Sequence, residues 1–320
     1  MTLRQLRLLL EIVRQGNHIS AAAEASHVSQ PAVSKQIRLL EAELGFALFT
    51  RKRNQVLGLT DLGREVLEVA RRMLADADNL RHIREDFVAR DSGNFTIAAT
   101  HTQARYLLPR IIERFVTRHP KIQLGLLQGN PTQICELVDA GEADMAIGTE
   151  GTRAFPNLVM LPCFELSQIV VVKAGHPLLK VKKPTLSEIA KYPIIAHRSN
   201  TAGPWRFSGI FERGGLTPKV ISSAVDADVC KIYVELGLGI TILSAVVFDR
   251  SRDTKLRAID ASHLFEPMTT FVSLRRNTYL RSYVLDIIQA LATGFTPDEI
   301  GRAVKEGGAE TLIRRTLPRF

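Results

Sequence analysis

Apolar residues recur at helical spacing near the start of the chain. Val33, Ile37 and Leu40 lie three or four residues apart, so they share one face of a helix that packs inward. Ser29 stands at the N-cap position of this helix, and Pro31 lies in its first turn, where a missing N–H costs nothing. The opposite face carries Gln30, Ser34, Lys35 and Arg38. Hydrogen-bonding and cationic side chains along one face of a second helix are typical of a reader of the DNA major groove.

A basic segment follows this helix. Arg51–Arg53 precedes Leu57–Thr60, a pattern that suits a β-wing beside the phosphate backbone. We predict that Gln30 and Ser34 approach base edges, with Ser29 and Pro31 beside them. The predicted phosphate contacts are Lys35, Arg38, Arg51 and Arg53. Taken alone, the two helices could also form an ordinary helical hairpin whose charged face is simply solvated. The order of the segments, two helices followed by a basic wing, favours DNA binding.

A long segment without proline follows Thr60. From Asp61 to about Ala89, apolar residues alternate at spacings of three and four, which predicts a coiled-coil helix roughly 40 Å long. The predicted seam consists of Val66, Ala70, Met73, Ala77, Leu80 and Phe87. Packing on its own domain is the alternative, but no partner helix is near in sequence, so a dimer is favoured. Asp91–Asn94 is the predicted hinge.

From Phe95 onward, short apolar runs alternate with helical stretches. The first set predicts strands at 95–99, 122–127 and 145–148 and helices at 104–118 and 132–139. Alternation of this kind indicates a βαβαβ unit with a parallel sheet. A second set predicts strands at 169–172, 194–196, 220–223 and 240–243 and helices at 205–213 and 229–236. Residues 271–274 would return the chain to the first half, before a helix at 280–291. Two crossings between similar halves predict a clamshell.

Composition narrows the class of protein. The 320 residues are 45% hydrophobic, which allows two or three domains with real cores. The net charge of +9 permits a polyanionic partner. The sequence contains no run of about 18 apolar residues, and no secretion signal opens it. We therefore expect a cytoplasmic protein without a membrane partner. Cys135, Cys163 and Cys230 are scattered, so reduced core thiols are expected, rather than disulfides or zinc ligands.

Polar loops follow the predicted strands. In open α/β sheets, ligands bind beyond the carboxyl ends of strands, where helix N-termini attract small anions. The loops are Thr100–Gln103, Gly129–Gln133, Gly148–Glu150 and, from the other half, His197–Thr201. Each loop by itself reads as a helix cap, but four converging loops predict a ligand site.

The N-terminal segment resembles the winged helix-turn-helix of LysR-type transcriptional regulators. The matching residues are Leu3–Leu6, Ala21–Ala23, Ser29–Ser34, Ile37, Leu40-Glu41, Leu44-Gly45, Leu48-Phe49 and Leu59-Thr60. The resemblance covers essentially the whole chain. It implies an α + α/β fold class, with a winged helix-turn-helix over 1–60, a linker and dimerisation helix over 61–91, and an effector-binding domain over 92–320. This last domain would resemble periplasmic binding proteins, with subdomain I at about 92–163 and 268–320 and subdomain II at about 164–267.

Five further segments resemble the CysB subgroup of that family. They are Thr100–Tyr106, Pro131–Ile134, Met160–Cys163, Asp226–Val229 and Leu280–Tyr283. The subgroup controls sulfur assimilation, cysteine synthesis and the use of organic sulfur sources. The resemblance implies an anion site made by Thr100, Thr102, Gln103 and Thr149, to which we add Thr132 and Thr201 as secondary contacts. The family's further threonine is displaced, because position 202 is Ala202 while Ser199 and Thr201 lie beside it.

The resemblance also implies partners: double-stranded DNA, a sulfur-related effector such as sulfate, acetylserine or adenylylsulfate, a homo-oligomer that is a tetramer, and RNA polymerase. No catalytic residue, metal ligand or cofactor site is expected. A two-domain enzyme is the first alternative, but the sequence lacks the phosphate-loop, zinc-protease and nucleophile-elbow motifs. A transport binding protein would not need the helix pair. A LysR-type regulator of another pathway, with a different effector, stays open, as does the choice between cysteine synthesis and sulfonate or sulfate-ester use.

Overall fold

The computed structural model describes residues 1–52, 55–88, 92–149, 154–197, 205–306 and 316–319. The chain divides into two compact units, residues 1–88 and 89–320. The elements of the first unit are α1 (Leu3–Arg14), α2 (Ile19–Ala25), α3 (Gln30–Leu44), β1 (Phe49–Lys52), β2 (Gln55–Leu59) and α4 (Asp61–Val88). Strands β1 and β2 pair antiparallel, so this unit is a winged helix-turn-helix, as predicted.

Helix α3 has the predicted two-faced character. Val33, Ile37 and Leu40 are fully buried, which confirms the predicted inner face. Ser29 occupies the N-cap position, but its side chain makes no capping hydrogen bond, so the predicted side-chain cap is wrong. The helix ends at Gly45, whose φ of 81° lies in the left-handed region that glycine adopts without strain.

Helix α4 uses two faces, and only one of them packs on its own domain. Leu67, Ala70 and Leu74 are buried in the core that α1, α2 and α3 form. The seam predicted for dimerisation is therefore wrong at Ala70, which is already covered within one chain. Three residues of the predicted seam, Met73, Leu80 and Phe87, are exposed instead, and they form one row with Val69 and Ile83. These five residues, here named the exposed α4 stripe, follow spacings of four, seven, three and four, which fit a seven-residue repeat.

The second unit is an α/β clamshell. Its strands are β3 (Gly93–Ala99), β4 (Ile122–Gln128), β5 (Met145–Thr149), β6 (Leu158–Leu166), β7 (Gln168–Lys173), β8 (Ile194–His197), β9 (Val220–Ala224), β10 (Thr241–Ser244), β11 (Leu256–Asp260) and β12 (Met268–Arg275). Its helices are α5 (Leu108–Arg118), α6 (Pro131–Asp139), α7 (Leu186–Ala190), α8 (Ser208–Arg213), α9 (Ala227–Glu235), α10 (Ser282–Leu291) and α11 (Pro297–Glu306).

The sheets of this unit define two lobes. In the described part of lobe I, the strand order is β4-β3-β5-β12-β6. Strands β4, β3 and β5 are parallel, which confirms the predicted βαβαβ unit, while β12 and β6 add antiparallel. Lobe II holds the antiparallel order β10-β7-β11 and the parallel pair β8-β9. The chain passes from lobe I to lobe II at Ser167 and returns between Asp260 and Met268.

The segment after Thr296 also belongs to lobe I. Helix α11 buries Ile300, Ala303 and Val304 against the lobe I core. The final described residues run beside β6, where the Glu165 N–H donates to the Pro318 carbonyl at 2.8 Å.

All three cysteines are free and buried. Burial raises the pKa of Cys163 to about 12 and that of Cys230 to about 11, so both stay protonated at neutral pH. The three thiols thus lie in the core, as expected.

Candidate functional site

The exposed face of α3 carries the predicted DNA-contacting residues. Gln30, Pro31, Lys35 and Arg38 are exposed, and Ser34 is half-buried. Because the apolar face of α3 is locked into the domain core, these side chains are held on one rigid surface. Ser29 is exposed at the start of the same surface.

The wing is tied to the end of α3 by a buried carboxylate. Glu41 Oε1 accepts the Leu48 N–H at 2.9 Å, and its second oxygen lies 2.9 Å from Arg51 Nη2. Arg51 is thus partly engaged within the domain, although the guanidinium has further donors for a phosphate. Arg53 lies outside the described residues.

A cleft between the lobes collects polar residues from both. It encloses a cavity of about 80 Å³, several times the space that one water molecule requires. The predicted primary contacts that line it are Thr100, Thr102, Gln103 and Thr149. Thr132 is not part of the lining, and its N–H donates to Asn130 Oδ1 at 3.0 Å, while Asn130 itself faces the cleft. Thr201 and its neighbours at 198–204 lie outside the described residues.

Backbone packing brings the lobe I loops together. The chain is helical from His101 to Arg118, so Thr102 and Gln103 lie in a first turn, whose N–H groups have no acceptor within the helix. Gly148 lets the neighbouring strand end approach, because a Cβ there would lie 2.6 Å from Ile134 Cδ1 and 2.9 Å from Thr100 Cγ2. Any larger residue at position 148 would displace the side chain of Ile134 or of Thr100.

Thr100 is hydrogen-bonded through Gln103 to the interior of lobe I. The Thr100 hydroxyl donates to Gln103 Oε1, and Gln103 Nε2 lies 3.5 Å from Thr270 Oγ1. Gln103 is only 1% exposed, so water has little access to its amide group. Rotating the amide by half a turn would exchange the donor and acceptor roles and release the Thr100 hydroxyl proton toward a ligand.

The electrostatics of the cleft suit an anion. Burial lowers the pKa of His197, so the imidazole is neutral at pH 7, with Nε2 3.0 Å from the Val225 carbonyl. Arg206 contributes a cation from lobe II. No aspartate or glutamate is among the described residues that line the cavity.

Sequence reasoning missed three polar residues of the lobe II wall. Gln168, Arg206 and Ser244 line the cleft, yet none of them follows a strand of the parallel lobe I set. Gln168 lies at the crossing between lobes, and its Nε2 donates to the Leu166 carbonyl at 3.0 Å. For Gln168, the signal available in the sequence was a polar residue directly before the apolar run of β7.

A winged helix-turn-helix followed by a two-lobed domain with a polar cleft defines a ligand-responsive DNA-binding regulator. Two family models match: "Bacterial regulatory helix-turn-helix protein, lysR family" over residues 3–64 and "LysR substrate binding domain" over residues 89–296. The chain belongs to the LysR family of bacterial transcriptional regulators. It is a regulator and not an enzyme.

Relatives with this organisation include two proteins of Burkholderia cenocepacia. The HTH-type transcriptional regulator SsuR is 43% identical over 306 residues, which cover 96% of this chain and 99% of SsuR. The regulator CysB is 44% identical over 311 residues, covering 97% of this chain and 99% of CysB. Among solved structures, the cofactor-binding domain of the Cbl transcriptional regulator is 38% identical, with a TM-score of 0.63, and covers 67% of this chain and 94% of that domain. The chain is thus similar over nearly its full length to CysB-like regulators.

Among the described residues, no helix combines the length and the apolar character that a bilayer crossing needs.

Proposed function

We propose that this regulator controls genes of sulfur assimilation, cysteine synthesis or organosulfur use, and that a small sulfur-related anion bound in the interlobe cleft is its effector. The observation that carries the second part is the cleft itself, where hydroxyl and amide groups of Thr100, Thr102, Gln103 and Thr149 meet. Neutral donors around a helix N-terminus, with an arginine opposite, bind oxyanions without a metal. Thr132 and Thr201 remain secondary candidates.

The regulator acts on DNA in the cytoplasm as a homo-oligomer, and we propose a tetramer that engages RNA polymerase. Closure of the cleft changes the assembly only if the effector prefers one arrangement of the lobes over another. Sulfate, acetylserine and adenylylsulfate are the effectors to compare first, because each carries a sulfur oxyanion or belongs to cysteine synthesis.

A double threonine variant tests the cleft. Thr100→Val/Thr102→Val keeps the shape of both side chains but removes two hydroxyls. Each neutral hydrogen bond contributes about 0.5–1.5 kcal/mol, so effector affinity should fall roughly 5- to 150-fold, as measured by calorimetry on the full chain.

Thr117→Val is the matched control, because Thr117 is exposed on α5 and donates only to the Glu113 carbonyl at 2.8 Å. Unchanged affinity of the double variant for every effector that binds the wild type would move the site elsewhere. Lost affinity with an unchanged effector-dependent DNA footprint would break the connection between cleft and DNA.

The DNA face is tested by comparing a base reader with a phosphate contact. Gln30→Ala should cost about 1–3 kcal/mol at one base position and leave non-specific DNA binding intact. Lys35→Ala should instead weaken binding to all sequences and lower the slope of log affinity against log salt by about one. Fluorescence anisotropy on operator and scrambled duplexes at several salt concentrations separates the two effects. Equal losses on both duplexes for Gln30→Ala would remove that residue from base readout.

A further inference from the structure

Charged and hydroxyl groups join the two lobes beside the cleft. From lobe I, Arg105 Nε lies 2.6 Å from Asp228 Oδ2, and the Tyr106 hydroxyl donates to Asp228 Oδ1. From lobe II, Lys231 Nζ lies 3.0 Å from the Tyr106 oxygen and 3.1 Å from Asp228 Oδ1. These four residues are here named the interlobe network. These contacts of Arg105 and Tyr106 with lobe II all end on α9.

The lobe II half of the network is rigidly held. Lys231 is 7% exposed, and its ammonium also contacts both oxygens of Asp253, at 3.1 and 3.2 Å, and the Val247 carbonyl at 2.9 Å. Burial would lower the pKa of Lys231, but its hydrogen bonds with Tyr106 and Asp253 outweigh this and raise it. Burial likewise opposes ionisation of Asp228, yet the hydrogen bonds from Tyr106 and Lys231 and the positive charges of Lys231 and Arg105 lower its pKa. Arg105, Asp228 and Lys231 are therefore charged at neutral pH, while burial raises the pKa of Tyr106 and keeps its hydroxyl neutral.

The lobe I half is placed by an irregular helix. Residues Gln103–Leu107 form a π-helical turn between the strand end at Thr100 and helix α5. Such turns are rare and occur often at functional sites, because the extra residue redirects neighbouring side chains. Here the turn directs Arg105 and Tyr106 to lobe II, where the Tyr106 ring packs against the buried cluster that includes Ala227 and Cys230.

His101 connects this network to the cleft. Its side chain lines the cavity between Thr100 and Thr102, and its Nε2 lies 3.1 Å from Asp226 Oδ2 and 4.0 Å from Asp228 Oδ2. Negative charge on a bound anion would therefore act on His101 from one side, while the Asp226 carboxylate acts on it from the other.

A divalent metal would be the other use of His101, Asp226 and Asp228, whose ligand atoms lie within 4.8 Å of one another. Asp228 is, however, already contacted by Arg105 at 2.6 Å and Lys231 at 3.1 Å. Two cations at these distances oppose a third positive charge, so ion pairing between the lobes is the better account.

We propose that the interlobe network is a positioning device that holds lobe II in the effector-binding arrangement, with His101 connecting it to the bound anion. The proposal rests on the proposed function, because it assumes that the effector occupies this cleft. If only the arrangement with the network intact binds effector, the apparent affinity is proportional to the fraction of molecules in that arrangement. Loosening the network lowers this fraction and therefore lowers the apparent affinity. Arg105 and Tyr106 would then control affinity without themselves contacting the ligand.

Two variants loosen the network without removing a residue that lines the cleft. Arg105→Gln removes one charge, and Tyr106→Phe removes only the hydroxyl that bridges Asp228 and Lys231. In the full-length protein, Tyr106→Phe should weaken binding of inorganic sulfate about tenfold by calorimetry, the effect of one charge-assisted hydrogen bond. Arg105→Gln should weaken it about two- to fivefold, because the Arg105 side chain is 57% exposed and exposed ion pairs contribute less. Arg110→Gln, which removes the same charge from an exposed position on α5, should bind sulfate as the wild type does. Wild-type affinity in both network variants would overturn the proposal.

A double-mutant cycle separates positioning from general destabilisation. Because Arg105 acts through Asp228, Arg105→Gln/Asp228→Asn should lose less affinity than the sum of the two single losses. Fully additive losses would show that the two residues do not act together and would count against the network.

Hydrogen exchange tests the network independently of effector binding. If the wild type binds no sulfate, that result contradicts only the choice of sulfate as effector and leaves the network to be tested by exchange. Backbone amides of α9 should exchange several-fold faster in Arg105→Gln and Tyr106→Phe than in the wild type or Arg110→Gln. Identical exchange of α9 in all four proteins would overturn the positioning role.

Discussion

The Leu80→Glu variant should bind operator DNA about 10²- to 10⁴-fold more weakly than the wild type, because it loses two-site binding. Leu80 is 70% exposed at the centre of the exposed α4 stripe, and it packs on nothing in its own domain core. Soluble proteins rarely leave such a row of apolar side chains uncovered, so a second copy of the helix is the expected cover. A glutamate at this position would be buried against an apolar partner, which is costly unless the charge is paired.

Sedimentation and DNA titration of the same samples provide the check. The variant should sediment as a smaller species than the wild type. Its affinity for a single operator half-site should equal that of the wild type, because the DNA-binding surface is unchanged. Ala75→Glu is the matched control, since at about 100° per residue it lies on neither the stripe nor the buried face of α4. An undisturbed assembly in Leu80→Glu would exclude the stripe as a dimer seam.

The difference between the predicted seam and the exposed stripe shows a limit of periodicity. Helix α4 carries apolar residues at spacings of three and four on two faces, and both satisfy the same pattern. The face containing Leu67, Ala70 and Leu74 is covered by the helices of the DNA-binding unit, whose positions a linear pattern does not contain. The length and the location of α4 were predictable; the choice of face required the fold.

Strand β6 was missed for a different reason. Pro162 interrupts its apolar run, and a proline usually argues against a strand because it cannot donate to the ladder. In the structure β6 lies at the edge of the lobe I sheet, opposite a register shift between Thr270 and Phe271, where the missing N–H is tolerated. β6 lies at the edge because β12 inserts antiparallel between β5 and β6. The parallel βαβαβ pattern of the first strands does not predict this insertion.

The lobe I side of the cleft was predictable because each polar loop directly follows a strand of the parallel set. Thr100, Thr102, Gln103 and Thr149 could therefore be placed at one sheet edge from the sequence pattern and the family resemblance, and they line the same cavity. The interlobe network could not be predicted in this way. Tyr106 and Lys231 are 125 residues apart, and no periodicity connects a π-helical turn with the helix that it contacts.

Arg281→Ala should destabilise the effector domain by about 3–5 kcal/mol, the loss expected when one partner of a buried ion pair is removed. The Arg281 side chain is 2% exposed, and its Nη2 lies 2.8 Å from Asp144 Oδ1. Its Nη1 donates to the Asn94 carbonyl at 3.2 Å, and the guanidinium lies 4.8 Å from the ring centre of Tyr283. Arg281 thereby joins the start of β3 to α10.

The same pair explains why the loss should be large and specific. Asp144 uses its other oxygen to accept the Thr96 N–H at 2.7 Å, so removing Arg281 leaves a carboxylate that is held in place but no longer neutralised. Urea unfolding followed by far-UV circular dichroism and by the fluorescence of Trp205, the only tryptophan, reports on this domain. Arg252→Ala is the control, because its pair with Asp249 is mostly exposed and should contribute little to stability. Replacing both partners by Arg281→Met/Asp144→Leu should recover part of the loss, since apolar side chains avoid the desolvation of a charge. A double variant as unstable as Arg281→Ala would point instead to the backbone groups that the pair satisfies, the Asn94 carbonyl and the Thr96 N–H.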